Sequence, residues 1–183
     1  MLFRSVPFRE TDDVSTPISP YAATKAAGEL LAYTWHHLFK LNVHCLRFFT
    51  VYGPRQRPEM AIAKFTAAID RGEPITVFGD GSSARDYTYI DDIVSGVVAS
   101  VERVSGYRIY NLGNSTPTTL SRLVDTIANT LGRSVTAETQ PIQPGDVTIT
   151  YADIERAQRE LDYQPATSMD EGIARYVAWF RQG

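Results

Sequence analysis

Tyr21 and Lys25 stand four residues apart, just behind a Ser19-Pro20 step that signals a helix start. On a helix, that spacing puts both side chains on one face. An ammonium beside a phenol favours the phenolate, bringing a group that ionises near about pH 10 toward the range of a general base. The chemistry such a pair suits is proton abstraction from an alcohol. With ten tyrosines in the chain, one such pair is not rare, so its surroundings must decide. Other groups read more weakly. His36 and His37 lie mid-helix with no partner at metal-ligand spacing and suit a surface or half-buried role. Gly79 to Ala84 formally matches the dinucleotide fingerprint G-x-G-x-x-A. A fingerprint must open a helix whose N-terminus meets the pyrophosphate, whereas Arg85-Asp86-Tyr87-Thr88-Tyr89 reads as extended.

The elements that must position these residues can be read along the chain. The first 20 residues lack periodicity and read as an extended lead-in. A helix is expected from Tyr21 to Phe39, with the Ser19 hydroxyl as its cap and Leu30, Leu31, Trp35 and Leu38 as its buried stripe. Asn42 to Phe49 reads as a buried strand ended by Gly53-Pro54. A short helix over 61–70 stops at Gly72, and 74–78 forms a strand before the Gly79–Ser82 turn. Asp91 or Asp92 is expected to cap a helix to about Val104, followed by a strand over 108–112. Thr118 or Thr119 opens an amphipathic helix closed by Gly132. Val135 to Glu138 reads as a strand, and Asp153 as the cap of a short helix to Leu161. Ser168-Met169-Asp170-Glu171 reads as a capping box for the last helix. Helices alternate with strands, so the expected class is α/β.

Composition bounds the function. The chain has 183 residues, 43% of them hydrophobic and 21% charged, with net charge −3. That is too apolar for a disordered chain and not basic enough for nonspecific nucleic-acid binding. No apolar run approaches the roughly 20 residues of a membrane helix. The single cysteine, Cys45, excludes an internal disulfide and suits a reducing cytoplasm.

Four stretches then give Tyr21 and Lys25 their context. They are Ser19-Pro20-Tyr21-Ala22-Ala23-Thr24-Lys25, Leu46 to Arg55 (LRFFTVYGPR), Val77 to Gly81 with Arg85 to Asp92 (RDYTYIDD), and Gln143-Pro144-Gly145-Asp146-Val147. In this order and spacing the chain resembles the extended short-chain dehydrogenases/reductases, the NAD-dependent epimerases and dehydratases of nucleotide sugars. The resemblance runs from about Val6 to Phe180. Within that family, Thr50 to Ala61 (TVYGPRQRPEMA) is most similar to the UDP-glucuronate 4-epimerases.

The resemblance implies a partial Rossmann-type parallel sheet with a smaller α/β substrate-binding lobe. Residues 1–52 would belong to the sheet domain, with 88–112 returning to it, and 53–87 with 113–183 would form the lobe. It implies Tyr21 and Lys25 as catalytic residues that also hold the nicotinamide end of NAD, with Phe48 on the cofactor-pocket wall. On the substrate it implies Thr50 at the sugar carboxylate and Arg57 near the sugar and diphosphate. Val77 and Phe78 would lie along the uracil, Arg85 on the diphosphate and Asp146 on the ribose. No metal is implied. Competing structural readings stand beside these: a solvated loop charge for Arg57, an Arg85–Asp86 ion pair, and a strand-end hydroxyl at Thr50.

The chemistry explains the residue types. Epimerisation at C4 removes the 4-hydroxyl proton as hydride leaves for the nicotinamide, and the keto sugar takes the hydride back on its other face. With a carboxylate at C5 that intermediate is a β-keto acid, and a neutral hydrogen bond from Thr50 would restrain its decarboxylation. Fixed arginine forks suit two phosphates. Family members place a strand, a glycine-rich turn and a helix for the NAD pyrophosphate ahead of this region, with a serine or threonine that assists the tyrosine. The chain is therefore expected to correspond to the C-terminal half, with most of the NAD site outside it, to bind NAD poorly and to turn over little alone. It is expected to be cytoplasmic and to self-associate as a dimer, without nucleic-acid or membrane partners. The alternatives are a sugar-nucleotide dehydratase, a UDP-glucuronate decarboxylase, or a truncated, non-catalytic nucleotide-sugar-binding module.

Overall fold

A computed structural model describes residues 6–142 and 147–182. In chain order the elements are α1 (Pro20–Phe39), β1 (Val43–Phe48), β2 (Thr50–Tyr52), α2 (Ala61–Asp70), β3 (Ile75–Phe78), β4 (Ala84–Arg85), β5 (Tyr87–Tyr89) and α3 (Ile90–Glu102). They continue with β6 (Tyr107–Leu112), β7 (Thr118–Thr119), α4 (Leu120–Leu131), β8 (Ala137–Gln140), β9 (Ile149–Thr150), α5 (Glu155–Leu161) and α6 (Met169–Phe180). Parallel pairs dominate: β1 with β6, β2 with β5, and β3 with β8. β4 lies between β7, antiparallel, and β9, parallel. The class is α/β, as the alternation of elements requires.

The stretch read as one strand over 42–49 is two. β1 follows β6 to Phe48, and the Phe49 N–H then donates to Leu112 O. At Thr50 the chain changes partner, its N–H donating to Asp86 O at 3.0 Å as β2 joins β5. A point where neighbouring strands diverge beyond their carboxyl ends is where α/β sheets take ligands. β1 is half-buried rather than fully buried.

Two apolar cores hold the elements. One gathers Tyr52, Ile62, Ile69, Ile75, Leu123, Ile127 and Ile173 between α2, α4 and α6. The other gathers Ile93, Tyr110, Leu112, Leu161 and Tyr163 between α3, β6 and α5. Leu123 and Ile127 are fully buried, each adding about 1.5–3 kcal/mol relative to exposure. The lead-in is pinned across these elements. Phe8 bridges Ala152, and the Asn111 side chain donates to the carbonyls of Phe8 and Asp153.

Local signals set most helix ends. Ser19 accepts the Ala22 N–H, Thr119 accepts that of Arg122, and Ser168 accepts that of Glu171. Gly132 closes α4 at φ 68°, a left-handed conformation that costs glycine little. Several expectations need correction. The Leu30, Leu31, Trp35 and Leu38 stripe is exposed, and α1 contains no buried residue. The half-buried positions are instead Ala22, Ala26, Glu29, Ala32 and His36, because α1 is apolar nearly all round and its small side chains let it sit close on β1. Tyr89, not Asp91 or Asp92, is the α3 cap residue. Asp92 accepts N–H groups of Ala166 and Thr167 across the fold. Ile154 occupies the α5 cap position, with Asp153 one residue outside it accepting the Glu155 N–H. Only half of the last capping box forms, since Glu171 reaches forward to Arg175 at 2.6 Å. β8 begins two residues later than expected.

Candidate active site

Ser19 and Pro20 start α1 so that Tyr21 and Lys25 occupy its first two turns. Tyr21 is 71% exposed, and the Lys25 ammonium lies over its ring, 5.4 Å from the centroid. That arrangement presents a phenol and a cation together to solvent at one end of the helix. Behind them, the Glu29 carboxylate grips the Arg47 guanidinium of β1 in a two-point pair of 2.7 and 2.8 Å. Those bonds hold Arg47 protonated even more firmly than usual. The Tyr107 hydroxyl of β6 donates to the Glu29 carbonyl at 3.0 Å. Burial pushes the Tyr107 phenol and the Cys45 thiol beside it upward, so both stay neutral.

Thr50 is half-buried at the point where β1 gives way to β2. Phe48, two residues before Thr50, is exposed. Arg57 lies on the loop before α2, its guanidinium 3.3 Å from Glu59 and 3.7 Å from the Met60 sulfur. Val77 and Phe78 follow one another on β3. Val77 packs on the first core and Phe78 faces outward. On β4, Arg85 donates to the carbonyls of Ala84 and Thr148. Asp146 lies outside the described residues.

Phe78 and Arg85 line one cleft of about 960 Å³, together with Gln56, Lys64, Thr76 and Tyr87. Arg57 sits on the loop that supplies Gln56 and Pro58 to this cleft. Tyr21, Lys25, Phe48, Thr50 and Val77 do not line it. Gln56, Lys64 and Tyr87 escaped the sequence reading; only the scarcity of lysine could have drawn attention to Lys64. Gln56 Oε1 is buried without a partner among the described residues. The Asp86 carboxylate serves the backbone rather than Arg85. It accepts the N–H groups of Asn114, Ser115 and Ala152 and the Thr88 hydroxyl, at 2.7–3.0 Å. The Gly79–Ala84 turn leads into β4 and not into a helix. His36 Nδ1 contacts Leu41 O at the end of α1. Among the described residues no cluster could hold a metal ion and no helix is long and apolar enough to cross a membrane.

Comparison with known proteins decides the family. A family model described as GDP-mannose 4,6 dehydratase matches residues 2–176. The chain belongs to this family of extended short-chain dehydrogenases/reductases. A UDP-glucuronate 4-epimerase of Thermodesulfobacterium geofontis is 43% identical over 180 residues, covering 98% of this chain and 55% of the relative. The chain thus spans about half the length of the curated relatives it matches. The crystal structure of a Bacillus cereus UDP-glucuronic acid 4-epimerase variant, with UDP-4-deoxy-4-fluoro-glucuronic acid and NAD, superposes with a TM-score of 0.91 at 34% identity. That match covers 98% of this chain and 57% of the other. DesIV, a dTDP-glucose 4,6-dehydratase of Streptomyces venezuelae with NAD bound, gives 0.88 at 30% identity, over 98% of this chain and 56% of the other. The short parallel sheets of this member are therefore part of a Rossmann-type fold.

Proposed function

We propose that this chain carries the proton-transferring and nucleotide-sugar-holding part of an NAD-dependent UDP-glucuronate 4-epimerase. The observation that carries the reading is the Lys25 ammonium over the exposed Tyr21 ring at the start of α1. As a phenolate stabilised by the cation, Tyr21 takes the proton of a sugar hydroxyl, and as the phenol so formed it gives that proton back. The same two groups fit the nicotinamide end of NAD, since a phenol and an ammonium facing solvent suit ribose hydroxyls. Phe48, exposed at the end of β1, adds an apolar wall. When bound, the cofactor supplies a reversible hydride acceptor.

On the substrate side, Thr50 donates to the sugar carboxylate from the point where the strands part. Arg57 and Arg85 hold the diphosphate, Val77 and Phe78 flank the base, and Asp146 takes the ribose. In this reading the sheet domain comprises 1–52 and 88–112, and the lobe 53–87 and 113–183. The protein works as a cytoplasmic homodimer. The UDP-glucuronate 4-epimerases among its relatives support the substrate assignment. The family model's description and the DesIV likeness favour a second reading, 4,6-dehydration of a nucleotide sugar.

Calorimetry with UDP-glucuronate and UDP-glucose tests the site. The reading expects tighter binding of the glucuronate, a preference that Thr50→Val removes and an affinity that Arg85→Ala lowers by roughly tenfold or more, as loss of a charge-assisted hydrogen bond does. Equal binding of both sugars defeats the substrate assignment. Chromatography of UDP-glucuronate incubated with protein and NAD separates the readings: a 4-epimer that disappears in Tyr21→Phe supports epimerisation, and a dehydrated product supports the alternative.

A further inference from the structure

Tyr21, Lys25 and Glu29 follow one another at four-residue spacing, so they form one row along α1. Lys25 therefore has two possible partners one turn away: the Tyr21 ring toward the N-terminus and the Glu29 carboxylate toward the C-terminus. In the structure it lies over Tyr21. Glu29 is turned to the sheet, with both carboxylate oxygens on Arg47 at 2.7 and 2.8 Å. We propose that Arg47 is a positioning residue that acts through Glu29: by holding that carboxylate against β1 it keeps it from Lys25 and leaves the ammonium to Tyr21.

Several features make the arrangement a device rather than a generic ion pair. The pair is sheltered, with side-chain exposures of 22% for Arg47 and 19% for Glu29. A half-buried carboxylate that loses its cation must find another, because leaving it unpaired is costly. Lys25 is the cation one turn away on its own helix. The Tyr107 hydroxyl separately fixes the backbone carbonyl of Glu29. The carboxylate can therefore swing while the helix stays in place. Apolar packing keys the helix only in part, since Ala22, Ala26 and Ala32 are half-buried and no residue of α1 is fully buried. Arg47 also sits three residues before Thr50, so the strand that leads to the proposed sugar contact is the one that holds the carboxylate away.

The consequence for proton transfer rests on the reading of Tyr21 as the base; the placement of Lys25 does not. The test therefore uses the intact chain without cofactor or turnover. Tyrosine ring resonances are recorded by NMR with selectively labelled protein, and Tyr21 is assigned from Tyr21→Phe. Arg47→Gln should displace the Tyr21 ring signals as Lys25 turns to Glu29, while those of Tyr110, in the second core, stay in place. Adding Glu29→Gln to Arg47→Gln should return the Tyr21 signals to their original positions, and Arg47→Lys, which keeps the charge, should leave them there. A purely structural clamp would be lost equally in the single and double variants. Equal displacement in both, or none in Arg47→Gln, overturns the proposal. If the resonances behave as expected while UDP-glucuronate and UDP-glucose bind equally, the positioning stands and the functional reading falls.

Discussion

The backbone N–H of Ala152 donates to the buried carboxylate of Asp86 at 3.0 Å, joining segments 66 residues apart. The same carboxylate takes two more N–H groups from the turn after β6. Asp86→Asn places an amide where N–H donors converge, so at least one donor loses its acceptor. The expected loss is about 1–3 kcal/mol, which lowers Tm by roughly 2–4 °C per kcal/mol in a chain of this size. Thermal unfolding followed by circular dichroism measures it, and an unchanged Tm would show that the hub is not needed.

Gly172 of α6 has a different constraint. A Cβ there would collide with the Tyr52 hydroxyl, and Tyr52 is fully enclosed in the first core. Gly172→Ala should destabilise by about 1–3 kcal/mol through overpacking. That hydroxyl has no hydrogen-bond partner among the described residues, so Tyr52→Phe should be neutral or stabilising and should relieve much of the Gly172→Ala loss. Denaturant titration of the two single variants and the double variant gives the coupling, and additive losses would refute the contact.

His44 on β1 provides a pH dependence. Burial pushes its imidazole below the ordinary histidine value. Its Nδ1 meets the Ser100 hydroxyl at 2.9 Å, and the Ser105 N–H points at Nε2. The unfolded chain therefore takes up the proton first as pH falls. The stabilisation is complete above about pH 6.5, the unfolded value. It declines as pH drops from there through the lowered folded value. Melting curves between pH 7 and 5 should fall less steeply for His44→Gln than for the parent; parallel curves would exclude this contribution.

The outer face of α1 predicts behaviour on the surface rather than in the core. Trp35 is 56% exposed, with Leu31 and Leu38 exposed beside it. Replacing Leu31 and Trp35 by glutamate should change stability by no more than about 0.5 kcal/mol each. It should also abolish concentration-dependent sedimentation if this apolar face drives self-association. A large drop in Tm would mean that the face is covered within one chain.

The outcome along α1 shows what sequence alone conveys. Ser19, Thr119, Gly132 and Ser168 were legible because a cap is decided within a turn of its own helix. The inward face of α1 was not, because apolar side chains surround it and the docking partners are Arg47 and Tyr107, far along the chain. The Tyr21–Lys25 pairing was legible for the same reason as the caps: it is an i, i+4 relationship. The role of Asp86 was not legible: an ion pair with its neighbour Arg85 stood only as a competing reading, and the N–H groups that its carboxylate accepts arrive only after β6 and β9 come to β5. The cleft beside Phe78 and Arg85 likewise needed α2 and β3 to bring in Gln56 and Lys64.

The changeover at Phe49 leaves no slack between two ladders with different allegiances. Adding one residue there would flip the Thr50 hydroxyl to the opposite side of its strand while β1 kept its register. In the proposed reading, exchanging the side chain at position 50 alters the sugar contact and leaves the joint intact, whereas changing the length of the joint would misdirect whatever residue stood there.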